Sequence, residues 1–559
     1  MYSSDVQTRT IIRFALLAQS AWLLLPCGLP RTADGHDDTA RAFERSLVVA
    51  QAATNASSDS VVSAQAAAET CQLTITLVDD FTQKSMAGLV RITNLDTGKA
   101  VALEGHFHRA RGWYALPGKT TVRVPCANVR VEGLQGLETE RAQSELDLTA
   151  QSTATVELPM RKFYETRFRE WYAGNTHLHL MKMSRADAER YLQVVPRADS
   201  LDLVFLSHLR RIPDEKDYVS NEIVEESMNG DILQRLSHDG TLIANGQEHR
   251  HNFGRGGQGY GHVMMLDLQQ LIRPISLGPG IMAGGTDGQP LQRGIRAARE
   301  SDATVIWCHS DLGYEDIPNW VSGLIHAQNI FDGSTGDTYE RAFYRYLNLG
   351  LRVPFSTGTD WFIYDFARVY VPVPGELTAA GWLEGLRNGR SYITNGPFLE
   401  LETERAEIGG TQTLNGPNEV TVVAHGMGRL DFGGLELVYN GRVVHRVKAA
   451  AEGGYYYADM RYPLFIDRPG WFALRIPSNV GQSELGRPLF AHTSPIYVEY
   501  QGKQIFRADV AEGLIEEIRD SMAAIKTKGE FANDAELQRV LDVYQTGIDN
   551  LEQRIQAAR

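Results

Sequence analysis

The spacing of hydrophobic and polar residues changes along the chain, and each change predicts a different kind of structure. From Cys71 to about Pro159, short runs such as QLTITLVD, GLVRITNL, TTVRVPCANVRVEG and STATVELP alternate apolar with polar residues between Gly, Asp and Asn. A period of two bounded by turn residues predicts a small β-sandwich over 70–160. From about Lys162 to Gly396, apolar runs (LDLVFLSH, TLIANGQE, ATVIWCHS, RVPFSTGTD) alternate with stretches of helical spacing (SRADAERYLQVV, DTYERAFYRYLNLG). Strand and helix in alternation predict an α/β unit over 161–398, a parallel sheet or barrel. NEVTVVAHG, GLELVYNG, GWFALRIP and SPIYVEYQG return to the β period, giving a second sandwich over 399–505. The last stretch, 506–559, has apolar residues at helical spacing (Val510, Leu514, Ile515, Ile518, then Leu537, Val540, Leu541, Val543, Ile548, Leu551), a break near Gly529 and a capping Asn533. It reads as a helical hairpin whose apolar stripe either packs on the body or forms a homodimer contact.

Arg9 and Arg13 precede FALLAQSAWLLLPCGL, Phe14 to Leu29. That run is short for a membrane span and suits a secretory signal over 1–33, cleaved near Ala33, so the expected location is secreted or periplasmic with no stable span left after cleavage. The Ala-, Ser-, Asp- and Thr-rich stretch 34–69 is expected to be a linker. An oxidising compartment would let Cys71 and Cys126 pair, the alternative being two separate buried thiols. Cys27 would leave with the signal.

A chain of 559 residues is long enough for several domains, and 43% hydrophobic residues suit globular ones. The net charge is -14, and no segment gathers the Lys and Arg that a phosphate backbone requires, so nucleic acid is not an expected partner.

Candidate chemistry lies where apolar runs end: His177 and His179 in GNTHLHL, His208 in FLSHLR, Glu248 in NGQEH, His262 in GYGHV, His309 in VIWCHSD and Asp360 in STGTDW. Parallel strands deliver ligands in this way to the open end of a sheet. On an extended strand His177 and His179 face the same side, and two close divalent ions need a bridging carboxylate with several neutral nitrogen donors. Arg210, Arg211, Arg250, Arg255 and Arg368 stand near these residues in sequence. They either bind an anionic substrate group through guanidinium forks or pair with nearby carboxylates. Trp361, Phe362, Trp307 and Tyr314 either wall a pocket or belong to the core. NFGRGGQGYG, between Glu248 and His262, reads as a loop over the site and lacks the GKS/T ending of a nucleotide P-loop.

Taken in order, GNTHLHL, LVFLSH, GQE followed by GHV, the HS of WCHSD and the GTD of STGTDW resemble the polymerase-and-histidinol-phosphatase (PHP) superfamily. GRSYITNGPFLEL, RPGWFALRI and AHTSPIYVEY add a resemblance to its CehA/McbA, carbaryl hydrolase-like branch, over roughly residues 165 to 500. The resemblance implies a distorted (β/α)7 barrel flanked by the two sandwiches. It assigns His177, His179, Glu248 and Asp360 to a first metal, and Glu248, His262 and His309 to a second, with Glu248 as bridge. Arg185 and Phe362 stand near or at positions where the fullest members carry further histidines, so a third full site is not implied. Ser207 replaces a common aspartate before His208, which leaves His208 to orient or protonate substrate. The implied function is an exported hydrolase with two divalent ions (Zn, Mn or Fe) that activates water against a small-molecule ester, carbamate or amide, with Asp360 or His208 relaying the proton. Two other readings stay open, a phosphoesterase and a secreted non-catalytic metal-containing binding protein.

Overall fold

Both edges of the Trp171–His179 strand are paired, and the architecture follows from that. One edge carries Leu203–His208 in parallel, and the other carries Arg368–Pro372 in antiparallel and then Asp360–Trp361 in parallel. The computed structural model describes residues 70–559 apart from 213–216, 239, 255–258, 283, 311 and 335. The predicted signal segment, its cleavage point, Cys27, the 34–69 linker and Arg255 lie outside the described residues.

From Leu203–His208 the sheet continues through Leu242–His251, Gly261–Leu266, Thr304–Trp307, Ala327–Asn329 and Phe355–Ser356. Gly261–Leu266 runs antiparallel to both neighbours. An antiparallel neighbour needs no crossover helix, and no described residue between Leu242–His251 and Gly261–Leu266 is helical. On its other side the sheet passes from Arg368–Pro372 through Tyr392–Thr394 to Ala491–Thr493 and on into the C-terminal strands, sixteen strands in all. These findings correct the expected (β/α)7 barrel. Strand makes up 36% of the described residues and helix 24%, and the main sheet is a curled half-barrel and not a ring of alternating strands and helices. Its curl is bridged by the 357–361 segment. There Thr176 Oγ1 donates to the Thr357 carbonyl at 2.9 Å, Asn175 Nδ2 to Thr359 Oγ1 at 2.8 Å, and the Thr359 N–H to the His177 carbonyl at 3.1 Å.

The N-terminal β region packs two sheets, one built on Thr70–Asp79 and one on Gly88–Asn94, over Leu73, Ile75, Ile92, Val131 and Leu158. Cys71 and Cys126 are joined by a disulfide there. In the C-terminal β region only the sheet of Phe398–Glu402, Asn418–Gly428, Ala450–Glu452 and Tyr455–Ile466 stands apart. The remaining strands belong to the main sheet, so the expected second sandwich shares a layer with the unit before it.

Helices Ala508–Lys528 and Asp534–Ala558 close the chain, the second capped by the Asn533 side chain, which accepts from the Glu536 N–H at 3.1 Å. Leu514, Ile518, Val540, Tyr544 and Leu551 are buried in the same core as Trp307 and Trp320, so these apolar positions are covered by the chain itself. Among the described residues no helix is long and apolar enough to cross a membrane.

His492 lies fully buried between the half-barrel and the C-terminal strands. Its Nδ1 donates to the Thr493 carbonyl at 2.8 Å and its Nε2 accepts from the Tyr344 hydroxyl at 2.7 Å. Burial, then the nearby Arg475 charge, push its pKa from 6.5 to about 3. A histidine lowered on folding binds its proton more readily when unfolded, so the stability it contributes is present above pH 6.5 and is lost as the pH falls toward 3. The expected slope from this residue is about 1.4 kcal/mol per pH unit over that interval. Urea unfolding of the parent and of His492→Gln at pH 7 and pH 5 measures it, and an equal acid loss in both proteins would refute the assignment.

Candidate metal centre

Each group of the centre is placed by the end of a strand. Trp171–His179 carries His177 and His179, both fully buried, and its register with Leu203–His208 shifts between Asn175 and Leu178, beside the His-x-His pair. Such irregularities re-aim side chains where a strand meets a site. Glu248 and Arg250 lie two residues apart on Leu242–His251, hence on one face, and His262 stands opposite Arg250 in the antiparallel register. His309 follows Thr304–Trp307 with φ 55°, and Asp360 opens its short strand with φ 61°, both in the left-handed region. Gly358 lets the GTD turn pass, because a Cβ there would lie 2.6 Å from His177 Cβ.

All six predicted ligands come together. His177 Nε2 lies 3.1 Å from His179 Nε2 and 3.3 Å from Asp360 Oδ1, and His179 Nε2 lies 3.2 Å from Glu248 Oε2. The other oxygen, Glu248 Oε1, faces His262 Nδ1 at 3.1 Å and His309 Nε2 at 3.7 Å. The six predicted donors thus form two groups able to hold a metal ion, His177, His179, Glu248 and Asp360, and Glu248, His262 and His309, with Glu248 common to both; a third group, His177, Cys308, His309 and Asp332, lies beside them. His262, with 14% of its side chain exposed against 1% or less for the others, marks the side facing solvent.

The sequence reading missed Asp332, just after the three-residue strand Ala327–Asn329. Its carboxylate accepts from His177 Nδ1 at 3.0 Å and from the His309 N–H at 2.9 Å, lies 3.4 Å from His309 Nδ1, and is held by Asn329 Nδ2 at 3.1 Å. His179 Nδ1 donates to the Ser207 carbonyl at 3.0 Å. An acceptor at Nδ1 fixes the tautomer that presents a bare Nε2, the arrangement typical of metal-binding imidazoles. Gly333 completes the turn with φ 62°, and a Cβ there would meet Asp360 Oδ2 at 2.8 Å.

Charge is concentrated in this buried volume. Burial alone would raise the Glu248 pKa, but the Arg250 charge and the imidazoles of His179, His262 and His309 hold it well below the usual carboxylate range. Asp360 moves the opposite way: burial raises it most, and the neighbouring Glu248 and Asp332 carboxylates add to that against the pull of His309 and Arg250. Burial would lower His309, yet Asp332, Glu248 and Asp360 hold its proton well above the ordinary range. Burial, then Arg250, push His262 to about 3. Both Glu248 oxygens are buried and meet no hydrogen-bond donor in good geometry. A carboxylate left so is costly unless a cation neutralises it, so these residues fit a metal ion.

The remaining predicted residues divide. His208 is buried on the strand beside His179, its Nε2 bonded to Glu225 at 3.0 Å and its Nδ1 without a hydrogen bond. Arg250 is 4% exposed, and its Nη1 lies 3.7 Å from Glu248 Oε1. Arg210 is half-buried at the end of the FLSHLR run, its carbonyl accepting from Ser276 Oγ. Arg368 is not placed for substrate: it is fully buried, with Nε donating to the Phe366 carbonyl and Nη1 to the Asp199 carbonyl, both at 2.8 Å. Arg185 opens the helix Arg185–Ala198 and pairs with Glu189 and Glu226. Of the aromatics, Trp361 packs on His179 with ring centroids 5.3 Å apart and is joined by Tyr218, which the sequence reading did not name. Phe362 packs on Tyr191, and Trp307 is fully buried in the core.

No protein-family model matches the chain, and no curated protein matches it. The site is defined by its own donors, buried His, Glu and Asp groups able to hold a metal ion.

Replacing Asp332 with Asn removes the acceptor that orients His177 and His309, and metal affinity should fall about 10- to 100-fold. Titration of zinc and of manganese into apo-protein checks this, with circular dichroism confirming the fold. Unchanged affinity for both metals would show that Asp332 does not orient the donors.

Proposed function

We propose that the chain is a metal-dependent hydrolase acting on a small-molecule ester, carbamate or amide at a binuclear centre. The observation that carries this reading is Glu248, whose two buried oxygens each face a different set of imidazole donors. The motif resemblance to the CehA/McbA branch of PHP hydrolases supports the same reaction class, and two divalent ions of zinc, manganese or iron suit the mixed nitrogen and oxygen donors. When bound, such ions lower the pKa of water toward neutrality and polarise the substrate oxygen.

The chain's own residues then have distinct tasks. Glu248 holds the two donor sets in register, while Asp332 and the Ser207 carbonyl fix the imidazole tautomers. Asp360, whose carboxylate lies beside the His177 and His179 donors, accepts the proton released on attack once its own proton has given way to a bound cation. His208, neutral because burial lowers its pKa, carries a buried Nδ1 without a hydrogen bond and relays a proton to the leaving group. Trp361 and Tyr218 shield His179 and favour an uncharged ester or carbamate group at the scissile bond over a bare phosphate.

One observation favours a phosphoesterase as the second reading. Arg250 is buried beside Glu248, with Nε and Nη1 free of hydrogen bonds, as a phosphoryl oxygen would require. Export belongs to the proposal too, supported by the Cys71–Cys126 disulfide, a bond that persists in oxidising compartments.

Elemental analysis of the purified protein, with p-nitrophenyl ester and phosphodiester turnover on the same samples, tests the reading. About two metals per chain are expected, lost together with turnover in Glu248→Ala and His177→Ala. Faster ester turnover supports the first reading and faster phosphodiester turnover the second. Metal without turnover on either class would leave a metal-containing binding protein.

A further inference from the structure

A cavity of about 500 Å³ lies between the loop that carries Asp332 and the C-terminal β region. Small-molecule sites run to roughly 300–1,000 Å³. Phe331, Tyr339 and Tyr364 line it from the half-barrel side, and Arg475, Arg487 and Phe490 from the C-terminal side. None of the six donors lines it; it meets the metal centre at the loop where Phe331 directly precedes Asp332, whose carboxylate holds His177 and His309.

Its walls are built in advance. Phe331 packs on Phe490 and on Tyr339, with ring centroids 5.0 and 5.7 Å apart. Buried Asp365 accepts from Asn395 Nδ2 at 2.8 Å and Ser483 Oγ at 3.0 Å. Asn395 in turn donates to the Pro488 carbonyl and accepts from the Phe490 N–H, both at 2.9 Å. A satisfied buried network of this kind fixes the 487–490 segment against the half-barrel.

The charged groups of the lining differ in what they already hold. Arg475 pairs with Glu436 at 2.9 Å and Glu340 at 3.4 Å, and Asp337 lies 4.0 Å from Arg341. Arg487 has no ion pair within 4.0 Å among the described residues, its charge acts on the buried Asp365 carboxyl, and its guanidinium carbon lies over the Tyr364 ring, 4.6 Å from the centroid. A cation–π contact occupies no N–H donor by a hydrogen bond, so the guanidinium keeps donors for a carboxylate.

We propose that this cavity binds the part of the substrate remote from the scissile bond and takes an aromatic ring bearing a carboxylate, with the ring among Phe331, Tyr339 and Phe490 and the carboxylate on Arg487. The assignment of that bond rests on the hydrolase reading; the pocket and its ligand class rest on the cavity alone.

Calorimetric titration of the metal-loaded protein with 4-hydroxybenzoate and with phenol tests the pocket without turnover. The carboxylated probe should bind at least about tenfold more tightly, and Arg487→Gln should remove that preference while leaving phenol unchanged. Phe490→Ala should weaken both probes and serves as a second variant should the first fail to fold. Equal binding of the two probes, or a preference that survives Arg487→Gln, overturns the proposal. Initial rates on 4-acetoxybenzoate and phenyl acetate separate it from the reading it builds on. Hydrolysis of both esters without preference defeats the pocket's role and keeps the hydrolase, whereas selective binding without hydrolysis of either ester defeats the hydrolase and keeps the pocket.

Discussion

The structure is organised around a buried excess of negative charge. Glu248, Asp332 and Asp360 are almost wholly removed from solvent, and the fixed cation beside Glu248 is Arg250. Isolated carboxylates at such depth would be very costly, so the protein settles them in opposite ways. Glu248 and Asp332 stay ionised because Arg250 and the imidazoles face them, while burial and its two acidic neighbours push Asp360 toward the protonated form. His309 keeps a proton for the same reason. Without a cation the cluster thus balances its charge with protons, and a divalent ion bound at the same atoms would replace them. Metal affinity should therefore be set as much by the arrangement of the carboxylates as by the number of donors.

Holding those charges in place requires backbone that few residues adopt. Phe331, His309, Ser310, Asp360 and Phe362 all have φ between 54° and 64°. A non-glycine residue there costs roughly 1–3 kcal/mol and persists only where the surroundings over-determine it. The surroundings here are the half-barrel: His309 follows the end of one strand, Asp360 opens another, and each turn is pinned to a neighbour, Asp360 by the Leu178 pairing and His309 by the Asp332 carboxylate. Five of the fifteen described non-glycine residues with positive φ thus gather at the site, on turns held by the paired strands around them.

The donor set was legible in the sequence because strand ends mark it. A period of two puts His177 and His179 on one face, and Glu248, His309 and Asp360 each close an apolar run. Asp332 gave no such signal: its strand has three residues, too few to show a period, and its partners lie 155 and 23 positions away. Arg368 misled for a related reason, since nearness in sequence to Asp360 says nothing about the Asp199 carbonyl that its guanidinium reaches. The barrel expectation failed at two places where pairing is non-local. Gly261–Leu266 runs antiparallel to the strand before it, and Tyr392–Thr394 pairs with Ala491–Thr493, about a hundred residues on, so the sheet runs out into the C-terminal strands. Apolar patterning reports which face of a strand is buried and is silent about which strand lies beside it.

That continuity joins the C-terminal strands to the site. A separate domain on a flexible linker would meet the half-barrel through a polar interface and move against it. Here the shared sheet, the Tyr344–His492 hydrogen bond and the Asn395–Asp365–Ser483 network fix the C-terminal strands relative to the Asp332 loop. One end of that loop orients His177 and His309, and Phe331 and Tyr339 within it face Phe490 and Arg475 across the cavity. A displacement of the C-terminal strands would therefore reach the imidazoles through a few covalent bonds. The same coupling explains why a β region with no metal-binding group of its own shares a sheet with the centre: it holds in place the loop on which the donor geometry depends.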